Sequence, residues 1–224
     1  CDADAAEKGG YEHFMLKEIC EQPGAVKKTM TSRILPGQPI KLDDVSFTEE
    51  EIRQIEKIYI VACGTAYHAG VVGKYVIEKM ARIPVEVDIA SEFRYRDPLL
   101  TDKTLLIVVS QSGETADTLA ALREAKSRGV RVLAVTNVVG SSVAREADDV
   151  LYTWAGPEIA VASTKAYTTQ LVVMYILALY FAQHRGTMTE AEIEAVKNDM
   201  LTLPQKAEEV LSHRETIQKF ASNN

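Results

Sequence analysis

The chain has 224 residues, 46% of them apolar and 25% charged, with a formal net charge of −7. This is the mix of a domain with a sizeable core, and its acidic balance excludes an electrostatically held nucleic acid or anionic membrane. The apolar run within Leu171 to Ala182 is about half of the roughly 20 residues a membrane span needs. No secretory signal pattern is present, and three cysteines without metal-ligand spacing fit reduced thiols in the cytoplasm.

In chain order, Cys1 is an N-terminal nucleophile only if its own amine serves as base. The acidic, Gly-rich stretch Asp2 to Gly10 reads instead as a linker. Tyr11 to Glu21 has helical spacing and should end at Pro23, with a second short helix over Ala25 to Arg33 and a turn at PGQP, Pro36 to Pro39. Thr48, followed by Glu49, Glu50 and Glu51, predicts an N-cap with acid in the first turn. Strands are expected at Lys57–Ala62, Val85–Ile89, Thr104–Val109, Arg131–Thr136 and Asp149–Thr153. Helices are expected at Tyr67–Ala81, Thr115–Arg128 and Ser141–Glu146. Runs such as IYIVA and LLIVV are apolar on both faces, as parallel strands covered by helices must be. A long, almost wholly apolar helix follows over Thr164–Gln183 and calls for a covering neighbour, in a second domain or a second subunit. Thr189 and Pro204 each start one further helix.

This alternation predicts an α/β fold: a three-layer αβα sandwich with a five-stranded parallel sheet in flavodoxin-like order 2-1-3-4-5, plus flanking helices. In such a sheet the ligand crevice opens at the carboxyl ends of strands 1 and 3. Those ends carry CGTA, Cys63 to Ala66, and SQSGET, Ser110 to Thr115. Each loop leads into a helix N-terminus, whose free N–H groups and dipole favour an anion. Ser110, Ser112 and Thr115 add hydroxyls, Gln111 an amide, and Gly113 close backbone approach. Neither loop contains Lys or Arg, so a phosphate held by hydroxyls and N–H groups, as on a sugar phosphate, is the economical reading. SQSGET is not a Walker loop, and GxGxxG is absent after strand 1. The competing reading is an ordinary strand-to-helix connection with Ser or Thr capping.

The loop Gly156 to Lys165 holds Glu158, Ser163, Thr164 and Lys165. Ser163 or Thr164 is placed to cap the long helix, with Lys165 on the surface. Cys63 reads as a small buried residue rather than a nucleophile, and His68 as a surface or lining residue rather than a base. The run EFRYR, Glu92 to Arg96, reads as helix-to-loop packing, with an acidic partner surface as the alternative. The histidines and carboxylates lack metal-ligand spacing.

Taken in order, CGTAYHAG, ASEFRYR, SQSGETADTL and EIAVASTKAYTTQ resemble the isomerase part of the glutamine–fructose-6-phosphate aminotransferase family, members of the sugar isomerase (SIS) class. AAEKGGYEHFMLKEI resembles the segment joining its glutaminase and isomerase parts. The resemblance implies a five-stranded parallel αβα sandwich and the conversion of fructose 6-phosphate and glutamine into glucosamine 6-phosphate and glutamate. It implies that Ser110, Gln111, Ser112 and Thr115 bind the phosphate, that Thr65 and the backbone near Val161 contact the sugar, and that Ser163 lies nearby. Where many relatives read CGTS, Ala66 removes one hydroxyl.

No metal or other cofactor is implied, and no catalytic residue is expected on this chain, because the second SIS domain of such enzymes supplies the base, lysine and histidine. The expected partners are a phosphosugar, that second SIS domain, a glutaminase domain and a second copy in a homodimer, without nucleic acid or membrane. The expected division is a linker at 1–10, helices at 11–47, the SIS domain at 48–186 and helices at 187–224 leading toward the second domain. Such a piece would bind sugar phosphate with little or no turnover. The alternatives are a stand-alone phosphosugar sensor and a subunit of another phosphosugar isomerase.

Overall fold

The computed structural model describes residues 8–42 and 44–223; Cys1 and most of the expected linker lie outside them. Two short helices come first, α1 (Phe14–Cys20) and α2 (Gln22–Met30). Pro23 does not end a helix: the break falls at Glu21, and Pro23 sits in the first turn of α2, where its missing N–H costs no helical bond. At PGQP, Gly37 takes φ 66° and Gln38 N donates to Leu35 O at 3.2 Å. Thr48 and Glu51 then form a capping box on α3 (Glu49–Gln54).

The alternating region follows as β1 (Lys57–Ala62), α4 (Thr65–Met80), β2 (Val85–Ile89), α5 (Ala90–Phe93) and β3 (Thr104–Ser110). It continues as α6 (Ala116–Ser127), β4 (Arg131–Thr136), α7 (Ser142–Glu146) and β5 (Asp149–Tyr152). The sheet is parallel throughout, in the order β2-β1-β3-β4-β5. The four-residue α5 is an addition to the expected elements; it carries buried Phe93 against Tyr59, ring centroids 5.6 Å apart.

All seven residues of β3 are buried, and alternate side chains serve two cores. Ile58, Ile60, Leu105, Ile107 and Val109 join the cluster beneath α4. Tyr59, Val61, Leu106 and Val108 join the one beneath α6. Helix α4 lies close on its side of the sheet because it carries Gly70 and Gly73. A Cβ on Gly70 would come within 2.9 Å of Ile60 Cγ2, and one on Gly73 within 2.6 Å of Met174 Sδ.

Beyond the sheet run α8 (Lys165–Arg185), α9 (Glu190–Leu201), α10 (Leu203–Ser212) and α11 (Arg214–Ser222). Two expectations change here. By length and composition, the 21-residue α8 is long and apolar enough to cross a membrane, which the shorter apolar run had excluded. Its apolar character is accounted for within the chain, because α8 packs on α4, α2 and α3 and its residues from Val172 to Ala182 are almost all buried. No second domain or subunit is needed to cover it. The single helix expected from Pro204 is broken at His213 (φ −90°, ψ 5°). The break turns α11 back toward α1, where Arg214 Nη1 reaches Cys20 Sγ at 3.9 Å.

Candidate functional site

The register pairs Ala62 with Val109, so the loops after β1 and β3 leave the sheet side by side at its point of reversal. Thr65 stands exposed at the start of α4, behind Gly64 (φ 58°), and no side chain caps that helix. On the other loop, Ser110 is buried at the end of β3. Its Oγ accepts from Gly113 N at 3.0 Å and lies 3.4 Å from Thr115 Oγ1. Ser112 Oγ accepts from Glu114 N at 3.2 Å. Gln111, Ser112 and Thr115 are half-buried.

Thr115 occupies the N-cap position of α6, but its side chain makes no capping bond. This weighs against the capping reading of SQSGET. The same chain builds full capping boxes at Thr48 and Thr189, yet the N-termini of α4 and α6 carry no side-chain acceptor. Their N–H groups and dipoles face the crevice end of the sheet, where an anion would complete them.

The loop is preorganised from behind. Gly113 has φ 66°, and a Cβ there would lie 2.1 Å from Ser141 Oγ and 2.9 Å from Thr136 Oγ1. Asn137 N donates to Gln111 O at 3.1 Å and Val143 N to Gly113 O at 3.0 Å. Glu114 accepts from Ser142 N at 2.8 Å and Ser142 Oγ at 2.7 Å. The Ser142 hydroxyl and backbone N–H hold the Glu114 carboxyl below its ordinary range and direct its charge onto α7, where Ser141 occupies the N-cap position without a side-chain capping bond.

Val161 and Ser163 lie on the loop after β5, two strands away from β3. Asn137 bridges the two regions, its Nδ2 donating to Gly156 O at 2.7 Å while its backbone N holds Gln111. Val161 is fully exposed at 104%. The expected cap of α8 is corrected: Thr164 occupies the position without a capping bond. Glu158 caps the helix instead, accepting from Thr164 N at 3.1 Å, Ala166 N at 2.9 Å and Ser163 Oγ at 2.9 Å. Ser163 Oγ thus donates to protein and keeps its lone pairs for an incoming hydroxyl. Lys165 is not a surface residue. It is 3% exposed, and its Nζ pairs with Glu21 at 2.5 Å.

Other singled-out residues stand apart. His68 is exposed and edges Tyr67, ring centroids 5.6 Å apart, and Cys63 is half-buried against the α6-side core. In EFRYR, Phe93 is core and Arg96 pairs with Glu86 and Asp88. Arg94 stacks on exposed Tyr95 with 4.6 Å to the ring centroid. A cavity of about 740 Å³ lies between α2, α10–α11 and the loop residues Gly156 and Pro157, and one of about 750 Å³ between α1 and α10–α11; neither is lined by the CGTA or SQSGET residues. Sequence reasoning missed Asn137, Glu114 and Glu18 as loop-holding residues. Glu114 had a signal, since it sits inside SQSGET, whereas Glu18 had none.

Comparison with known proteins agrees with this geometry. The chain is 79% identical over 222 residues to a glutamine–fructose-6-phosphate aminotransferase [isomerizing] of Clostridium acetobutylicum, covering 99% of this chain and 36% of that protein. To the protein of the same description in Clostridium tetani it is 70% identical over 221 residues, with the same two coverages. The chain thus spans about a third of the length of these relatives. Among solved structures, it resembles the C-terminal domain of glucosamine-fructose-6-phosphate aminotransferase from Francisella tularensis with a TM-score of 0.89 at 43% identity, over 96% of this chain and 60% of that one. Residues 51–180 match the SIS domain model, more than half of the chain. With the parallel sheet and its order, this establishes that the chain belongs to the SIS domain family.

Proposed function

We propose that this chain is the phosphosugar-binding half of the isomerase part of a glutamine–fructose-6-phosphate aminotransferase. The observation that carries the reading is the uncapped N-terminus of α6, where Thr115 stands at the N-cap without bonding the helix and Ser110 and Ser112 stand beside it. A phosphoryl group accepts from the first-turn N–H groups and from the three hydroxyls, so its charge is neutralised without a basic side chain. Gln111 adds an amide. Thr65 at the uncapped start of α4, the backbone at Val161 and the lone pairs of Ser163 then engage sugar hydroxyls.

Proton transfer between C1 and C2 needs a positioned base, and in this reading a second SIS domain brings it, while a glutaminase domain supplies ammonia. The apolar side of α10–α11, with Val210 and Ile217 more than half exposed, suits packing against such a neighbour. Assembly as a homodimer and residence in the cytoplasm, where the unpaired thiols of Cys20 and Cys63 stay reduced, complete the reading. Sedimentation of the purified chain checks the dimer.

The experiment is thermal melting with fructose 6-phosphate, glucose 6-phosphate and glucosamine 6-phosphate. A ligand at 100 times its Kd adds about 2.7 kcal/mol of stability. The double change Ser110→Ala and Ser112→Ala abolishes most of that shift and lowers the unliganded stability by about 1–3 kcal/mol, because the buried Gly113 N–H loses its acceptor. No shift from any of the three sugars, or an unfolded double variant, would instead point to a structural loop. Formation of glucosamine 6-phosphate from fructose 6-phosphate and ammonia by this chain alone would refute the division of labour.

A further inference from the structure

The loop 156–164 is held at both ends by carboxylates, and one of them comes from far away in the chain. Glu158 grips its C-terminal end, as described above. Glu18, on α1, grips the other. Its Oε1 accepts from Ile159 N at 2.6 Å, and both of its oxygens lie 3.3 Å from Ala160 N. Glu18 is 2% exposed. A glutamate on a short surface helix ordinarily keeps its charge in water, and burying one is costly unless donors replace that water. Here the donors are two backbone N–H groups of the loop that carries Val161 and Ser163. Adjacent bonds tie the same helix junction to the start of α8: Lys165 Nζ to Glu21 at 2.5 Å and Thr168 Oγ1 to Gln22 Oε1 at 2.6 Å.

We infer that Glu18 is a positioning residue for the sugar side of the site, and that through it the helical pair α1–α2 is coupled to ligand occupancy. The inference rests on the proposed roles of Val161 and Ser163. With Ile159 and Ala160 fixed by Glu18, and Ser163 and Thr164 fixed by Glu158, the crest at Val161 is presented to a sugar at little ordering cost. Linkage is reciprocal: whatever displaces α1 weakens sugar binding by the factor by which bound sugar holds α1 in place. The phosphate loop, Ser110 to Thr115, is held by Asn137, Ser142 and Val143 and makes no direct bond to Glu18 among the described residues; its link to the 156–164 loop runs through Asn137, at Gly156.

The test titrates the 224-residue chain with fructose 6-phosphate and, separately, with inorganic phosphate, by calorimetry. Glu18→Ala weakens fructose 6-phosphate about tenfold and leaves inorganic phosphate unchanged. Glu18→Gln, nearly isosteric and still offering one acceptor, falls between. Hydrogen exchange at Ile159 and Ala160 speeds up in Glu18→Ala, and fructose 6-phosphate slows exchange across α1 in the unsubstituted chain. Unaltered sugar affinity in Glu18→Ala overturns the inference, as does an equal loss for sugar and phosphate, which marks general loosening. If Ser110→Ala and Ser112→Ala abolish sugar binding while Glu18→Ala does not, this inference fails and the function stands. If the unsubstituted chain does not bind fructose 6-phosphate at all, the function reading fails and takes this inference with it.

Discussion

Gly113 is where one missing side chain does most for the site. Its φ of 66° and the 2.1 Å that would separate an added Cβ from Ser141 Oγ leave an L side chain neither conformation nor room. Gly113→Ala should therefore lose about 1–3 kcal/mol of stability. It should also weaken phosphate binding, because the Gly113 N–H that now donates to Ser110 is displaced with the loop. Chemical denaturation paired with phosphate titration measures both losses, and an unchanged midpoint would mean that the Ser141 side of the pocket yields freely. Among the described residues, the buried Ser141 and Thr118 hydroxyls have no hydrogen-bond partner, so these two groups add only packing to the hydrogen bonds that hold the loop from behind.

At the level of elements, helix starts divide by what completes them. Helices α3 and α9 are closed by local capping boxes. Helix α7 is closed by the carboxylate of Glu114, reaching from another loop, and α8 by that of Glu158, from earlier in the loop that leads into it. Removing the acceptor from α8 by Glu158→Ala should cost about 0.5–2 kcal/mol, the range for losing an N-cap, and should free the Ser163 hydroxyl. Calorimetric melting checks the first effect, and a melt equal to that of the unsubstituted chain would show that the bonds to Thr164 and Ala166 contribute nothing. Close packing sets another limit at α4. Gly73→Ala gains up to about 1 kcal/mol in helix propensity but forces a methyl within 2.6 Å of Met174 Sδ and 2.9 Å of Ile60 Cδ1. Overpacking of this kind costs about 1–3 kcal/mol, so the variant should melt lower, and a higher melting temperature would show that Met174 moves aside.

For the whole molecule, the joint between the N-terminal segment and the far edge of the sheet carries a pH dependence. Asp149, buried at the start of β5, accepts from Ser46 N at 2.7 Å, Ser46 Oγ at 2.8 Å and Arg131 Nε at 2.8 Å. Burial pushes its carboxyl up, but the Arg131 guanidinium and the Ser46 donors outweigh this and hold it below the ordinary carboxylate range. Glu51 is lowered likewise, first by the Thr48 backbone N–H and hydroxyl and also by Arg131. A folded value below the unfolded one means that the native state binds fewer protons in that interval. The stabilisation is complete above the unfolded values near 4 and is lost as pH falls through the folded values. Melting temperature should accordingly hold between pH 7 and 5 and drop below about pH 4. Asp149→Asn should be destabilised by about 3 kcal/mol at pH 7, since it leaves Arg131 without its buried partner, and should show a shallower acid decline. An acid decline as steep as that of the unsubstituted chain would assign the dependence to other carboxylates.

Periodicity and short-range chemistry were enough to read the five strands, their order, the N-cap at Thr48, the helix start at Thr189 and the two loops at the point of reversal, because each is encoded within a few neighbouring residues. Apolar runs such as LLIVV can only be buried on both faces, and parallel crossovers leave few topologies. The identity of what holds those loops was not legible. Glu18 meets Ile159 across 141 positions and Lys165 meets Glu21 across 144. Helix α8 finds its cover in α2, α3 and α4 rather than in another chain. Local pattern determines what a segment is; only the packing of distant segments decides which buried charge finds which donor, since that pairing is settled by position in space and leaves no mark on either stretch of sequence alone.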